Sequence, residues 1–392
     1  MKNIYKIIIA ISLIFLSISS AIPIIFFNNS FSLTVATSYQ NPKQQKSSNL
    51  KKLVKERIKK VLSEDELDEE DLVEYTGDIE VLAFSTLMAF PEKALDESNS
   101  NNLSYDESKL TTNEFSKILE ELHNNNYILV DIFDIVDPTT LNLKTLKLPP
   151  NKKPIILTFD NVTYKSNYQN LGEIDKIIVD RNNTLASYTT KKSIQDRIAY
   201  DNEFVLIIEN YLKSHPDFSF KNAKGIMFFT GENGILGYNT SHKNTGNKFE
   251  AKKAKEVIKK LTKLNWKFGS NNYSYSIENS LSDLEFAKQI NLWNQEICDI
   301  IGETILYAYP HGIHSEKSAS KQELLLGNGF KIFFENSIKC EIKKYGNIIK
   351  INRKEINGKS LRNNTAELSH LFDCSQIYDF KNRTIDFNTT IQ

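Results

Sequence analysis

The chain has 392 residues, 40% of them hydrophobic and 25% charged, which is enough apolar material for one large domain, with or without appendages, and too much for a disordered protein. Lys plus Arg and Asp plus Glu both number 49, so no overall basic field points to nucleic acid, and neither a glycine-rich phosphate loop nor an internal repeat is visible. Cys298, Cys340 and Cys374 form no C-x-x-C pair and read as small buried hydrophobes, with a Cys340–Cys374 bridge as the other option.

Lys2 and Lys6 precede an uncharged apolar run over residues 7–27, about the length of a bilayer-spanning helix. Residues 1–27 therefore read as an export signal, either a signal peptide cut near Ala21 or Ala36 or an uncleaved membrane anchor. Residues 28–78 read as a polar linker and a charged helical stalk. Seven basic residues between Lys46 and Lys60 give way to eight acidic ones between Glu64 and Glu74, and Ser63 with Glu66 has the spacing of a capping box. The basic half suits acidic wall polymer or anionic lipid headgroups.

From residue 79 short apolar runs alternate with amphipathic stretches, the pattern of a sheet or barrel with helices packed outside. Strands are expected in "IEVLAFSTLMAF", "YILVDIFDIVD", "KKPIILTFD", "AKGIMFFTG" and "ETILYAYPHG". Helices are expected in "NEFSKILEELHNN" behind a Thr111–Glu114 capping box, in "EFVLIIENYLKSH" up to a Pro216 turn, and in "KFEAKKAKEVIKKLTKL" and "SLSDLEFAKQINLWNQEICDIIG".

The order of these segments, with "PIILTFD", "GIMFFTG", "NWKFGSNNYSY" and "LYAYPHG" as the most telling, resembles the NodB homology domain of polysaccharide deacetylases (carbohydrate esterase family 4-like). It is most similar to a clostridial branch of uncharacterised members. The resemblance covers residues 79–360 and leaves 361–392 as a C-terminal extension. It implies an α/β fold, a distorted (β/α) barrel with an open groove at the carboxyl ends of the strands. It also implies a site where a divalent metal activates water and polarises a sugar acetamide. Members hold that metal with the second Asp of T-F-D-D and two histidines at i and i+4, while the first Asp is the base.

At those positions this sequence has Asp160 as the first acid but Asn161, Asn271 and Tyr275 in place of the ligands, and Ser85 where related members carry an early histidine. A neutral amide oxygen is a poor zinc ligand, and a phenol with pKa near ~10 needs help to ionise. The resemblance gives Asp160 and Arg353 as the catalytic acid and its pairing arginine, with a hydrogen-bonding loop Asp as the plain reading of Asp160. It gives Tyr309, Pro310, Gly312 and Tyr273 as groove-wall, substrate-binding residues. His311 and His314 are substitute metal ligands or ordinary loop histidines, and His370 is a candidate acid for the leaving group. His123, His215 and His242 read as surface residues. Phe159, Tyr164, Trp266, Tyr273, Tyr275 and Tyr309 fall beside the motifs and either stack on sugar rings or belong to the core.

The function these residues imply is a deacetylase-like envelope protein that binds N-acetylated cell-wall or surface polysaccharide, with metal-dependent hydrolysis lost or reduced. No cofactor is expected; zinc or another divalent metal is expected if the protein is active. An active deacetylase with a rebuilt metal site and a structural envelope protein are the alternatives.

Overall fold

The structure, a computed structural model, describes residues 71–164, 172–241, 247–314 and 319–387. The apolar run at residues 7–27, residues 28–70 of the linker and stalk with the Ser63–Glu66 capping box, and His242 lie outside the described residues. Among the described residues no helix is long and apolar enough to cross a membrane.

Seven strands form a closed parallel barrel in chain order: Glu80–Phe84 (β1), Lys153–Phe159 (β2), Ile226–Phe229 (β3), Lys267–Ser270 (β4), Leu306–Ala308 (β5), Ile332–Asn336 (β6) and Ile348–Glu355 (β7). Each pairs with the next, and β7 closes on β1 through Lys354 opposite Leu82 and Glu355 opposite Ala83. Parallel strands need crossovers, and the chain supplies helices Thr112–Asn124 (α1), Phe204–Ser214 (α2), Asn247–Lys263 (α3), Asp283–Glu296 (α4) and Ala319–Gly327 (α5). The Thr111–Glu114 capping box that opens α1 forms as expected, each side chain satisfying the other's backbone N–H.

Residues opposed in a parallel ladder share a face, so the register alone divides the barrel into inside and outside. Ala83, Thr158, Phe228, Ala308, Phe334 and Arg353 fall on one face, and because Arg353 of β7 reaches Thr158 of β2 across β1, that face is the interior. Gly269 leaves the room into which the Phe228 ring folds, since a Cβ there would collide with it. Phe84 and Phe159 lie on the outer face, where Phe159 stacks on Phe204 of α2 at 3.8 Å between ring centroids and Phe84 meets Phe115 of α1 at 5.2 Å.

Three features were not foreseen. The expected strand "YILVDIFDIVD" is a strand only over Tyr127–Leu129, after which Asp131 caps a short helix, Ile132–Ile135, by accepting from the Phe133 N–H. An antiparallel sheet of Lys176–Val179, Leu185–Tyr188 and Ile198–Ala199 is inserted between β2 and α2. The segment after residue 360 belongs to the same core: Leu361, Leu368, Leu371, Phe372 and Ile377 are buried within it. Arg383 clamps this segment to the head of α1 by donating from Nε and Nη2 to the two carboxylate oxygens of Glu114, at 2.7 Å each, with both side chains fully buried. At the other boundary, Val73–Glu74 pairs with Lys147–Leu148, so the compact unit begins at Val73 rather than at residue 79.

The three cysteines are free, and Cys340 makes hydrogen bonds with the backbone of Val81 in place of a bridge to Cys374. Burial raises the pKa of all three thiols, to about 11 for Cys298 and about 12 for Cys340 and Cys374, which makes them inert at neutral pH.

Glu203 caps α2 and also accepts from the Leu87 N–H just beyond β1. Burial pushes its carboxyl up to about 8 from 4.5, against the pull of those two N–H donors. Folding therefore takes up a proton between pH 4.5 and about 8, and this contribution to stability is full at low pH and lost as pH rises through that window. We predict that Glu203→Gln, which keeps an acceptor for both N–H groups, gains stability relative to the unaltered chain as pH rises from about 5 to about 8 in urea melts. A pH-independent difference between the two would show that Glu203 stays ionised in the folded protein.

Candidate functional site

The carboxyl ends of β2, β4, β5, β6 and β7 converge on Asp160, the residue after β2, whose backbone N–H extends the ladder by donating to Phe84 at 2.8 Å. Alternation turns Phe159 outward and Asp160 inward. There Asp160 meets Arg353, with Nη1 and Nη2 donating to Oδ1 and Oδ2 at 2.9 Å each. Arg353 is 0% exposed and Asp160 6%. The guanidinium also donates to Thr158 and lies between the rings of Phe228 and Phe334, at 5.7 and 5.8 Å from their centroids. The expected pair is thus assembled, and its fork geometry leaves neither carboxylate oxygen without a charged donor.

Two of the three positions that the resemblance aligns with metal ligands, Asn161 and Asn271, are joined to each other. Asn271 accepts from the Asn161 N–H at 2.8 Å and donates from Nδ2 to the Ala308 carbonyl at 3.1 Å, so one buried amide ties the ends of β2, β4 and β5. Asn161, in the left-handed region at φ 53°, turns its own Oδ1 to the hydroxyls of Thr163 and Thr230, both at 3.2 Å. Ser85 donates to the Ser108 carbonyl. These groups do not fit a catalytic divalent ion. The amide oxygens are occupied as acceptors and carry no charge, and both oxygens of Asp160 face the guanidinium.

Tyr275 and His311 face each other with ring centroids 4.5 Å apart. Burial, and after it the negative charge of Asp160, pushes the Tyr275 phenol far above its ordinary range, so it is not a phenolate ligand. Burial also lowers the His311 pKa, outweighing the Tyr275 backbone and Asp160, which both favour the charged form; the ring is neutral at pH 7. His314 turns elsewhere, packing on Tyr309 at 4.4 Å between centroids. Among the described residues no group of three or more His, Cys, Asp or Glu side chains could hold a metal. The substitute set of Asp160, His311 and His314 therefore does not assemble.

The expected groove wall is corrected as well. Tyr309 is 1% exposed because alternation along Tyr307, Ala308 and Tyr309 turns it to the outer face, where its hydroxyl donates to Gln322 of α5. Tyr273 is buried against Gly231, with its hydroxyl on Glu296. Phe159, Tyr164 and Trp266 are core residues too, which leaves half-buried Tyr275 as the aromatic of that group nearest the mouth. Pro310 and Gly312 are buried and shape the turn after β5; Gly312, at φ 68°, lets the Asn336 side chain press against its backbone. His370 sits near the opposite pole, bonded to Glu80 at the start of β1, and so does not reach the site. His123 and His215 form an aromatic cluster with Tyr211 and Phe218 away from the mouth.

One site residue escaped the sequence reading. Glu355 shares the inward face of β7 with Arg353, and its surroundings, followed by the charge of Asp160, raise its pKa against the opposing pull of Arg353, Asn357 and Asn336. The period-two pattern from Ile349 through Ile351 to Arg353 points to it once β7 is known.

No family model matches the chain, and no curated protein matches its sequence. Solved structures of similar topology include a Streptococcus pyogenes deacetylase, PplD, in complex with acetate, at 11% identity over 73% of this chain and 94% of that one, with TM-score 0.39. A de-N-acetylase from Aggregatibacter actinomycetemcomitans is 12% identical over 71% and 95%, with TM-score 0.39. The BpsB deacetylase domain from Bordetella bronchiseptica is 10% identical over 71% and 96%, with TM-score 0.36. Likenesses at this level do not reach from topology to chemistry.

Removing the acid leaves a buried guanidinium without its counter-charge. Asp160→Ala is therefore expected to lower the unfolding free energy by about 3–5 kcal/mol in urea titration, and Asp160→Ala with Arg353→Met to recover much of that loss. A single-variant loss below about 1 kcal/mol would mean that the pair behaves as a solvated surface bridge.

Proposed function

We propose that this chain is a NodB-type deacetylase homologue of the cell envelope that binds N-acetylated glycan at its barrel mouth and has given up metal-dependent hydrolysis. The observation that carries the reading is the Asn271 amide bridging the Asn161 N–H and the Ala308 carbonyl. Hydrolysis of a sugar acetamide needs water ionised near neutral pH and an electrophile on the carbonyl oxygen, and a divalent ion supplies both. Here the positions that would hold it are spent on tying strand ends together, and the acid that would serve as base is locked in a two-point ion pair. What the mouth retains is hydrogen-bonding capacity: Glu355, neutral His311 and the Tyr275 phenol suit hydroxyl and acetamido groups. The apolar run at residues 7–27 supports export, by signal peptide or anchor.

The test is calorimetric titration of the purified chain with N-acetylglucosamine oligomers, run beside an acetate-release assay with and without added zinc or cobalt. The expected result is saturable binding with no acetate released above buffer. Zinc-stimulated acetate release would overturn the loss of catalysis. Absence of any glycan binding would leave a structural role in the envelope.

A further inference from the structure

One of the five helices around the barrel is charged unlike the others. α3 carries seven lysines against Glu250 and Glu256, whereas acidic residues equal or outnumber lysines in α1, α2, α4 and α5. Lys248, Lys252, Lys255, Lys259 and Lys263 recur at intervals of three and four residues, so they fall within an arc of about 80° and form a stripe about 22 Å long. All five are exposed, while Ala254, Val257, Ile258 and Leu261 on the opposite side are buried in the core. We propose that, independently of any glycan at the mouth, this face of α3 rests on an anionic lipid bilayer, with the ammonium groups among headgroup phosphates and the Phe249 ring at the acyl boundary.

Helix physics alone does not account for the stripe. Lysines three or four residues apart repel one another, and although Lys263 suits the last turn, Lys248 stands in the first, where the helix dipole disfavours positive charge. Nor do partners within the fold neutralise it. Lys255 pairs with Asp299 at 2.9 Å, and Glu256 on the same face pairs with Lys253, but Lys248, Lys252, Lys259 and Lys263 form no ion pair with a described carboxylate.

Phe249 chooses among polyanions. It is 65% exposed, next to Lys248 and one turn from Lys252, with the Lys253 Nζ 5.9 Å from its ring centroid. A soluble poly-phosphodiester would engage the ammonium groups and leave the ring in water. A bilayer takes both, because lysine stems reach from the acyl boundary up to the phosphates. α3 leads from the carboxyl end of β3 back to the start of β4, so the stripe runs along the barrel wall with Phe249 at the mouth end. Docked in this way, the barrel lies on its side and its mouth opens along the bilayer surface.

The experiment puts a reporter into the face itself. The full chain carrying Phe249→Trp is mixed with vesicles of phosphatidylcholine alone or of equal parts phosphatidylglycerol and phosphatidylcholine, brominated on the acyl chains to quench an indole that reaches them. Trp266 and Trp293, 2% and 0% exposed, supply a constant background, and the apolar run at residues 7–27 bears no charge to distinguish the two vesicles. Quenching is expected on the anionic vesicles and not on the neutral ones, and it should vanish at about 1 M salt, where a charge reaches only about 3 Å. Each lysine near such a surface contributes about fivefold, so adding Lys248→Gln, Lys252→Gln, Lys259→Gln and Lys263→Gln should abolish the quenching at the same lipid concentration, with thermal melting unchanged. Equal quenching on both vesicles, or quenching that survives the four substitutions, would overturn the stripe as a docking surface. An emission shift with soluble polyphosphate, without quenching by either vesicle, would overturn the bilayer in favour of a soluble polyanion.

Discussion

The buried pair between Asp160 and Arg353 sets the conditions for everything else at the carboxyl end of the barrel. Taking two full charges out of water costs several kcal/mol per ion, and only close, two-point geometry with further hydrogen bonds offsets it. The structure meets that demand with two 2.9 Å contacts, Thr158 as an extra acceptor and the faces of Phe228 and Phe334 around the guanidinium. Because β1 separates β7 from β2, the pair acts as a brace across the interior rather than as one more rung in a ladder. Its negative partner then adds to what burial does to its neighbours: burial first, and the charge of Asp160 after it, raise the pKa of Tyr275 and of Glu355, and that charge opposes the burial that keeps His311 neutral.

Around that brace, side chains at the positions aligned with metal ligands do structural work. A ligand sphere would need unshared lone pairs converging on one point. Asn161 and Asn271 instead direct their lone pairs to N–H and O–H donors within the protein, and Asn271 spends its amide nitrogen on Ala308. The arrangement is satisfied without an ion. In the interior, where an unpaired polar group costs about 1–3 kcal/mol, such a closed network is stable in its own right and gives a metal little to displace profitably.

The barrel was legible because its strands are short apolar runs separated by helices with clear periodicity and caps, as at Thr111–Glu114 and in Phe204–Ser214. Asp160 and Arg353 were paired through the resemblance, and the geometry places them together. What misled was facing. Tyr309 and Tyr273 sit in motifs beside the groove, but strand alternation and the covering helices decide which way a ring points, and a barrel strand such as Leu306–Ala308 is apolar on both faces. Glu355 and the insertion at Lys176–Ala199 went unnoticed because their strands are short or polar, without the apolar runs that mark β2 and β3. The segment after 360 looked like an extension because its core residues are scattered between charged ones, and its buried anchor, Arg383, carries a charge that sequence patterning assigns to the surface.

An amide network occupies the strand ends at which the resemblance places a metal. The most direct measurement is elemental analysis of the chain after incubation with zinc and removal of excess, for the unaltered protein and for a variant carrying Asn161→Asp, Asn271→His and Tyr275→His. The account predicts no retained ion in the unaltered chain and about one per chain in the variant, where carboxylate and imidazole donors replace neutral groups at the same strand ends. A tightly held ion in the unaltered chain would contradict it.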